Sequence, residues 1–135
     1  MHGLVILDEY DNVIRLAILW NDQRTVNEVK YLNTKTGKEK LISETGNIAF
    51  TGFTAPKIMW LKNNEINNFN KISKIMLPKD YLVYKLTNRF VSDVSDMSVT
   101  FFYNVKEKKY SESMINLIGI NKKTSWSVRK FRYSR

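Results

Sequence analysis

Hydrophobic residues near the start of the chain form two almost continuous runs, residues 4–7 and residues 13–20. The short segment between them, residues 8–12, contains Asp and Asn, whose side chains bond to nearby backbone groups and favour turns. Two apolar runs joined by such a segment predict a β-hairpin with its turn near residues 9–12. Because the runs are apolar throughout rather than alternating, we expect both faces of the hairpin to be covered.

Apolar residues at helical spacing follow the hairpin and predict a series of helices. Asp22 is the expected N-cap of the first helix, and Gly37 is expected to end it in a left-handed turn. Thr54 is the expected N-cap of a later helix that has Pro56 in its first turn, where a missing N–H costs nothing. In chain order, the predicted helices span residues 22–37, 38–44, 54–64, 69–75, 78–88 and 111–119.

A further strand is predicted by the β-branched and aromatic run at residues 99–105. The last helix is expected to begin at a Ser111 cap and to end at Gly119. A β-hairpin with helices packed on it is an α+β arrangement, and that is the fold class we expect.

The composition is that of a single folded domain. The chain has 135 residues, 43% of them hydrophobic, with seven Phe, seven Tyr and three Trp to fill a core. It has no Cys, which excludes disulfides and thiolate metal sites, and its single His leaves few transition-metal sites open. No apolar run is long enough to span a membrane and the start lacks the basic residues of a signal peptide, so we expect a cytoplasmic protein with no membrane partner.

The positive charge is concentrated at one end of the chain. The net charge is +9, and six of the basic residues lie in residues 121–135, which contain no acid. The rest of the chain is only weakly basic, so a solvated tail is favoured over a nucleic-acid-binding arm. The alternative stays open: a small basic binding protein that contacts nucleic acid or an anionic surface through this tail.

Few side chains suggest a reaction. The five Gly residues are scattered and form no phosphate-binding loop. Asp93 and Asp96 resemble a paired-carboxylate site, but residues of this type at this spacing are more often turn and cap residues, which is the role we expect. Residues 20–24 place an aromatic ring, an acid and a base together, a combination that a strand end, a helix cap and a surface ion pair would also produce.

Six short blocks of sequence together carry a family resemblance. They are residues 1–4 (MHGL), 17–25 (AILWNDQRT), 45–47 (TGN), 51–57 (TGFTAPK), 77–82 (LPKDYL) and 92–96 (SDVSD). In order and spacing they resemble the xylulose kinases of the FGGY carbohydrate kinase family over residues 1–120. Residues 121–135 are unlike the family. We therefore expect a partial N-terminal kinase domain followed by a basic tail that is open to disorder.

The resemblance implies a partial ribonuclease-H-like (actin-like ATPase) domain. The complete enzyme would use ATP and Mg²⁺ to phosphorylate D-xylulose to D-xylulose 5-phosphate. In the family the Met-His-Gly stretch is internal, and the catalytic Asp and the nucleotide-binding domain follow the segment matched here. The resemblance therefore implies a fragment that is inactive alone and binds neither ATP nor Mg²⁺ alone.

The resemblance also implies site residues. Met1 and His2 match the family's sugar-contacting pair, and Asp22 and Arg24 match a block at the edge of the pocket, where we expect them mainly to order the local turn. No catalytic residue or metal ligand is expected in this chain. The expected ligand is D-xylulose or a similar ketose, bound weakly, and nucleic acid is not expected. Strands that lack their neighbours are expected to favour self-association.

Overall fold

The computed structural model describes residues 2–120. The strands are β1 (Val5–Leu7), β2 (Lys74–Met76), β3 (Tyr103–Asn104) and β4 (Lys109–Tyr110). The helices are α1 (Val26–Tyr31), α2 (Lys38–Thr45), α3 (Thr54–Asn64), α4 (Ile66–Asn70), α5 (Pro78–Thr87), α6 (Val94–Met97) and α7 (Glu112–Ile118), with a π-helical segment at Leu32–Gly37 between α1 and α2. This mixture of helices and short strands confirms the α+β expectation.

The turn of the predicted hairpin forms, but its second arm is not a regular strand. The Asp8 carboxylate accepts hydrogen bonds from the backbone N–H groups of Tyr10 and Asn12, both at 2.9 Å, and so closes the turn. Residues 13–20 then pair with residues 4–7 through isolated bridges, which join Leu4 to Ile18 and Leu7 to Val13. The regular antiparallel partner of β1 is β2, from a distant part of the sequence.

The expectation that both apolar runs are covered on both faces is right for residues 4–7 and wrong for residues 13–20. All four residues of the first run are buried. In the second run Ile18 is buried, but Leu16 is 87% exposed, Leu19 53% and Trp20 54%. A substantial apolar surface is therefore left open to water.

The first two predicted helices form with different boundaries. Asp22 does not cap α1, whose N-cap position is taken by Thr25 without a side-chain bond. Gly37 has a left-handed φ of 86°, but it does not end the helical path, because α2 begins at the next residue. The left-handed residue that ends this path is Gly46. Thr54 is the first residue of α3 rather than its cap, since Phe53 occupies the N-cap position.

Helices α5 and α7 begin and end where the sequence predicted, but the helix predicted at residues 69–75 is wrong: α4 ends at Asn70, and residues 74–76 form strand β2, which pairs with β1. The hydroxyl of Ser111 accepts a hydrogen bond from the backbone N–H of Met114 and caps α7, and Gly119 ends it with φ 80°. Asn88, with φ 55°, ends α5 in the same left-handed way. Helix α7 packs against α3.

The strand predicted at residues 99–105 is wrong except for the two residues of β3. Most of this run forms turns after α6, and Phe101 takes a left-handed φ of 68°. Phe101 and Phe102 are both fully buried in the core. Burial of these two rings outweighs the local preference for an extended strand, because strand propensity depends on tertiary context.

The main core lies between β1 and the helices. It includes Leu4, Ile6, Ile18, Leu32, Leu41, Ala49, Ala55, Ile58, Leu61, Phe101, Phe102, Met114 and Ile118. A smaller cluster on the other side of β1 contains Val5, Leu7 and Met76, with Tyr84 and Phe90 stacked beside it at 4.2 Å. Strand β1 is thus covered on both sides, and His2, three residues before its start, lies close to the core. Within residues 2–120 no helix has the length and apolar character needed to cross a membrane.

Candidate functional site

His2 lies just before β1 and is half-buried. Its ring makes an edge-on contact with the ring of Phe53, with centroids 6.1 Å apart. The ring nitrogen Nδ1 is buried and has no hydrogen-bond partner within residues 2–120. Met1, the other residue expected to contact sugar, lies outside the described residues. His2 is therefore fixed on one side by an aromatic contact and keeps hydrogen-bonding capacity of its own.

The surroundings of His2 favour its neutral form. Burial lowers the pKa of His2, and the positive charges of Lys57 and Lys79 lower it further, while Asp96 raises it. The net effect is a pKa below the usual value of 6.5. A neutral imidazole can donate through one nitrogen and accept through the other, which suits an uncharged hydroxylated ligand.

Phe53 reaches His2 from a tight turn at residues 50–53. The backbone N–H of Phe53 donates to the carbonyl of Phe50 at 3.0 Å and closes the turn. The Phe53 ring also contacts the rings of Phe50 and Phe101, each with centroids 5.5 Å apart. The turn therefore joins His2 to the main core.

Lys57 lies behind this turn, on the buried face of α3. It shares that face with Ile58 and Leu61, and all three residues are fully buried. Its ammonium donates to the backbone carbonyls of Thr51 at 2.8 Å and Phe53 at 3.1 Å. Burial lowers the pKa of Lys57 to about 8.

Asp22 and Arg24 form a compact pair beside the turn. The Asp22 carboxylate accepts from the Arg24 backbone N–H at 3.0 Å and from its guanidinium at 2.8 to 3.0 Å. The guanidinium hydrogen bonds hold the pKa of Asp22 below its usual value. The guanidinium also lies over the Trp60 ring, 4.7 Å from its centroid. The pair orders residues 22–24 and packs them on α3, in place of the helix-cap role expected for Asp22.

Asp93 and Asp96 are turn and cap residues, as expected. The Asp93 carboxylate caps α6 by accepting the backbone N–H of Asp96 at 2.9 Å. Lys79 lies between the two carboxylates and Asp80, with nitrogen-to-oxygen distances of 2.7 Å to Asp80, 2.7 Å to Asp93 and 3.1 Å to Asp96. Partial burial lowers the pKa of Lys79, but the carboxylates outweigh it and the net pKa is raised. The cluster ties the start of α5 to α6.

The described residues offer no cluster of acidic side chains that would hold Mg²⁺. Within residues 2–120 no group of three or more His, Asp or Glu side chains could hold a metal ion. The densest carboxylate cluster already contains the ammonium of Lys79. We therefore assign these residues no role in a chemical step that involves nucleotide or metal.

The sequence predicted His2, Asp22 and Arg24 as site residues, which stays a prediction, and it gave no role to Lys57 or Lys79. The structure brings His2 close to the Phe53 turn, with Lys57 behind it and the Asp22–Arg24 pair beside it. The spacing of Lys57 four residues before Leu61, on the same helix face, was a usable signal that this lysine is buried. Lys79 offered no comparable signal, because its partners come from two separated segments.

Fold and motifs together define an N-terminal domain of a sugar kinase with the ribonuclease-H-like, actin-like ATPase fold. The model of the FGGY family of carbohydrate kinases, N-terminal domain, matches residues 1–132, and the chain belongs to this family. The domain boundary expected at residue 120 stays a prediction.

Xylulose kinases are prominent among the similar proteins. That of Staphylococcus xylosus is 46% identical over 121 residues, which are 90% of this chain and 25% of that protein. The crystal structure of a xylulose kinase from Brucella ovis superposes with a TM-score of 0.88 at 37% identity, covering 96% of this chain and 26% of that one. A xylulose kinase from Rhodospirillum rubrum shares the fold, with a TM-score of 0.89 at 22% identity. The chain thus spans about a quarter of the length of the relatives it matches.

Proposed function

We propose that this chain forms one wall of the sugar site of a xylulose kinase. The complete enzyme transfers the γ-phosphoryl group of ATP, with Mg²⁺, to the terminal hydroxyl of D-xylulose. The observation that carries the proposal is the 46% identity to a xylulose kinase over 90% of the chain. None of the relatives described above is a nucleic-acid-binding protein by its name, so a basic binding protein acting through residues 121–135 is the weaker candidate.

His2, with Met1, contacts the sugar in this proposal. The lowered pKa of His2 keeps its ring neutral near pH 7, so the ring can bond to sugar hydroxyls as donor and acceptor. Its contact with Phe53 limits rotation of the ring before a ligand arrives. Asp22 and Arg24 stand at the edge of the pocket and act by ordering the local turn, as their mutual hydrogen bonds suggest.

The chain alone is expected to transfer no phosphoryl group. A kinase needs a base at the attacking hydroxyl and a held nucleotide and metal. Asp93 and Asp96 do not supply that base, because both are engaged by Lys79. Purified chain with ATP, Mg²⁺ and D-xylulose should release no ADP above a blank, with a complete xylulose kinase as the positive control. ADP release above the blank would contradict this part of the proposal.

Association between copies is the other expected property. Leu16, Leu19 and Trp20 form an exposed apolar segment that a partner could cover. A cytoplasmic location stays a prediction.

Ligand-observed NMR tests the sugar site without requiring turnover. Saturation transferred from the chain to D-xylulose should report binding in the millimolar range, which corresponds to only about 4 kcal/mol. His2→Ala should abolish the transfer, and Lys130→Ala in the basic tail should leave it unchanged. Equal transfer in wild type and His2→Ala would remove the reason for placing the sugar at His2.

A further inference from the structure

The turn at residues 50–53 is held from behind by a single ammonium group. Lys57 Nζ donates to the carbonyls of Thr51 and Phe53, which lie two residues apart on the turn. The hydroxyl of Thr25 donates to the same Thr51 carbonyl at 3.3 Å. The turn is thereby fixed to α3 and to the segment that follows the Asp22–Arg24 pair.

The same turn carries the contact that fixes His2. The carbonyl of Phe53 accepts from Lys57, and its ring makes the edge-on contact with the imidazole. A displacement of the Phe53 backbone would move this ring and release the imidazole. Lys57 therefore acts on the ring of His2 through Phe53.

Burying the charged side chain of Lys57 at this position costs free energy. Lys57 is fully buried and donates hydrogen bonds to the backbone carbonyls of Thr51 and Phe53, and Asp22 acts on it as a nearby charge. A Met of similar length would fill the space without the cost of burying a charge. A lysine at this position is better explained by the turn that its ammonium holds than by a gain in stability.

We propose that Lys57 is a positioning residue that holds the turn at residues 50–53 and, through Phe53, the ring of His2. Its importance for sugar binding rests on the function proposed above. The charged groups that act on His2 are the amino terminus of the chain, Asp96, Lys57 and Lys79, so removing Lys57 removes one of the two positive side chains that favour the neutral ring and leaves the amino terminus in place.

The test uses the fact that His2 is the only His in the chain, so its ring resonances have no overlap from another imidazole. Lys57→Met should shift the His2 ring resonances and raise the midpoint of their pH titration towards 6.5. Lys30→Met, the same change at an exposed position of α1, should leave both at their wild-type values. Wild-type resonances and midpoint in Lys57→Met would overturn the proposal.

A second measurement needs no variant and covers the case in which Lys57→Met does not fold. In wild-type chain whose N-terminal amine is acetylated, so that this amine cannot titrate in the same range, deprotonation of Lys57 should move the amides of residues 51–53 and the His2 ring signals together, with a midpoint near pH 8. Absence of that transition would also overturn the proposal.

A D-xylulose titration separates the two hypotheses. If Lys57→Met moves His2 and D-xylulose does not, positioning stands and the proposed function fails. If D-xylulose shifts the His2 ring resonances and Lys57→Met does not, the proposed function stands and the positioning role of Lys57 fails.

Discussion

The buried ammonium of Lys57 makes the stability of the chain depend on pH. In the folded protein the pKa of Lys57 is about 8, against the usual 10.5. Between these values the unfolded chain binds more protons than the folded one, so the free energy of unfolding rises with pH. At lower pH the folded protein bears the full cost of burying the charge.

The size of the effect follows from the two pKa values. Each pH unit between them is worth about 1.4 kcal/mol, so the full difference is about 3 kcal/mol. Between about pH 7.5 and about pH 9.5, linkage gives a gain of about 2 kcal/mol. Groups with raised pKa values oppose this gain only at higher pH. The pKa values of Tyr84 and Tyr110 are raised from 10.0 and those of Lys79 and Lys109 from 10.5, so the stability that depends on these groups is lost above those values.

Urea unfolding followed by Trp fluorescence at a series of pH values would measure the gain. The wild type should become more stable from about pH 7.5 to about pH 9.5. Lys57→Met should lack this rise, and Lys30→Met should keep it. A flat or falling wild-type profile, or the same rise in Lys57→Met, would refute the reasoning.

Two further perturbations follow from burial and exposure. Leu61→Ala should lower the free energy of unfolding by about 2–5 kcal/mol, because Leu61 is fully buried. Leu86→Ala, at an 86% exposed position, should change the free energy of unfolding little. Equal losses for the two variants in urea unfolding would contradict the assigned core. Leu16→Lys should reduce self-association of the chain, because Leu16 is 87% exposed in the apolar segment. Light scattering after size-exclusion chromatography would measure the associated mass. A mass unchanged by the substitution would exclude this segment as the self-association surface.

Local signals in the sequence predicted the parts of the fold that local interactions determine. The Ser111 cap, the Gly119 stop and the Asn88 stop each depend on a side chain or a left-handed residue within one helical turn. Such signals can be read without knowing the rest of the structure. The Asp8 turn is of the same kind, since its bonds reach only to residue 12.

Features that depend on distant residues could not be read in this way. Strand β1 pairs with β2, nearly 70 residues further along, rather than mainly with the neighbouring apolar run. The predicted strand at residues 99–105 was replaced by turns that bury Phe101 and Phe102. Helical spacing could place Lys57 on a buried face, but only the structure shows its ammonium on two carbonyls of the turn that contacts His2.

The central claim is that His2 forms part of a sugar-binding surface, and the His2 ring itself gives the most direct test. Chain carrying ¹³C-labelled histidine would be titrated with D-xylulose while the ring resonances are recorded. We expect a saturable shift with a dissociation constant in the millimolar range, and the same shift in Lys130→Ala. No shift of the His2 ring at D-xylulose concentrations far above the millimolar range would contradict it.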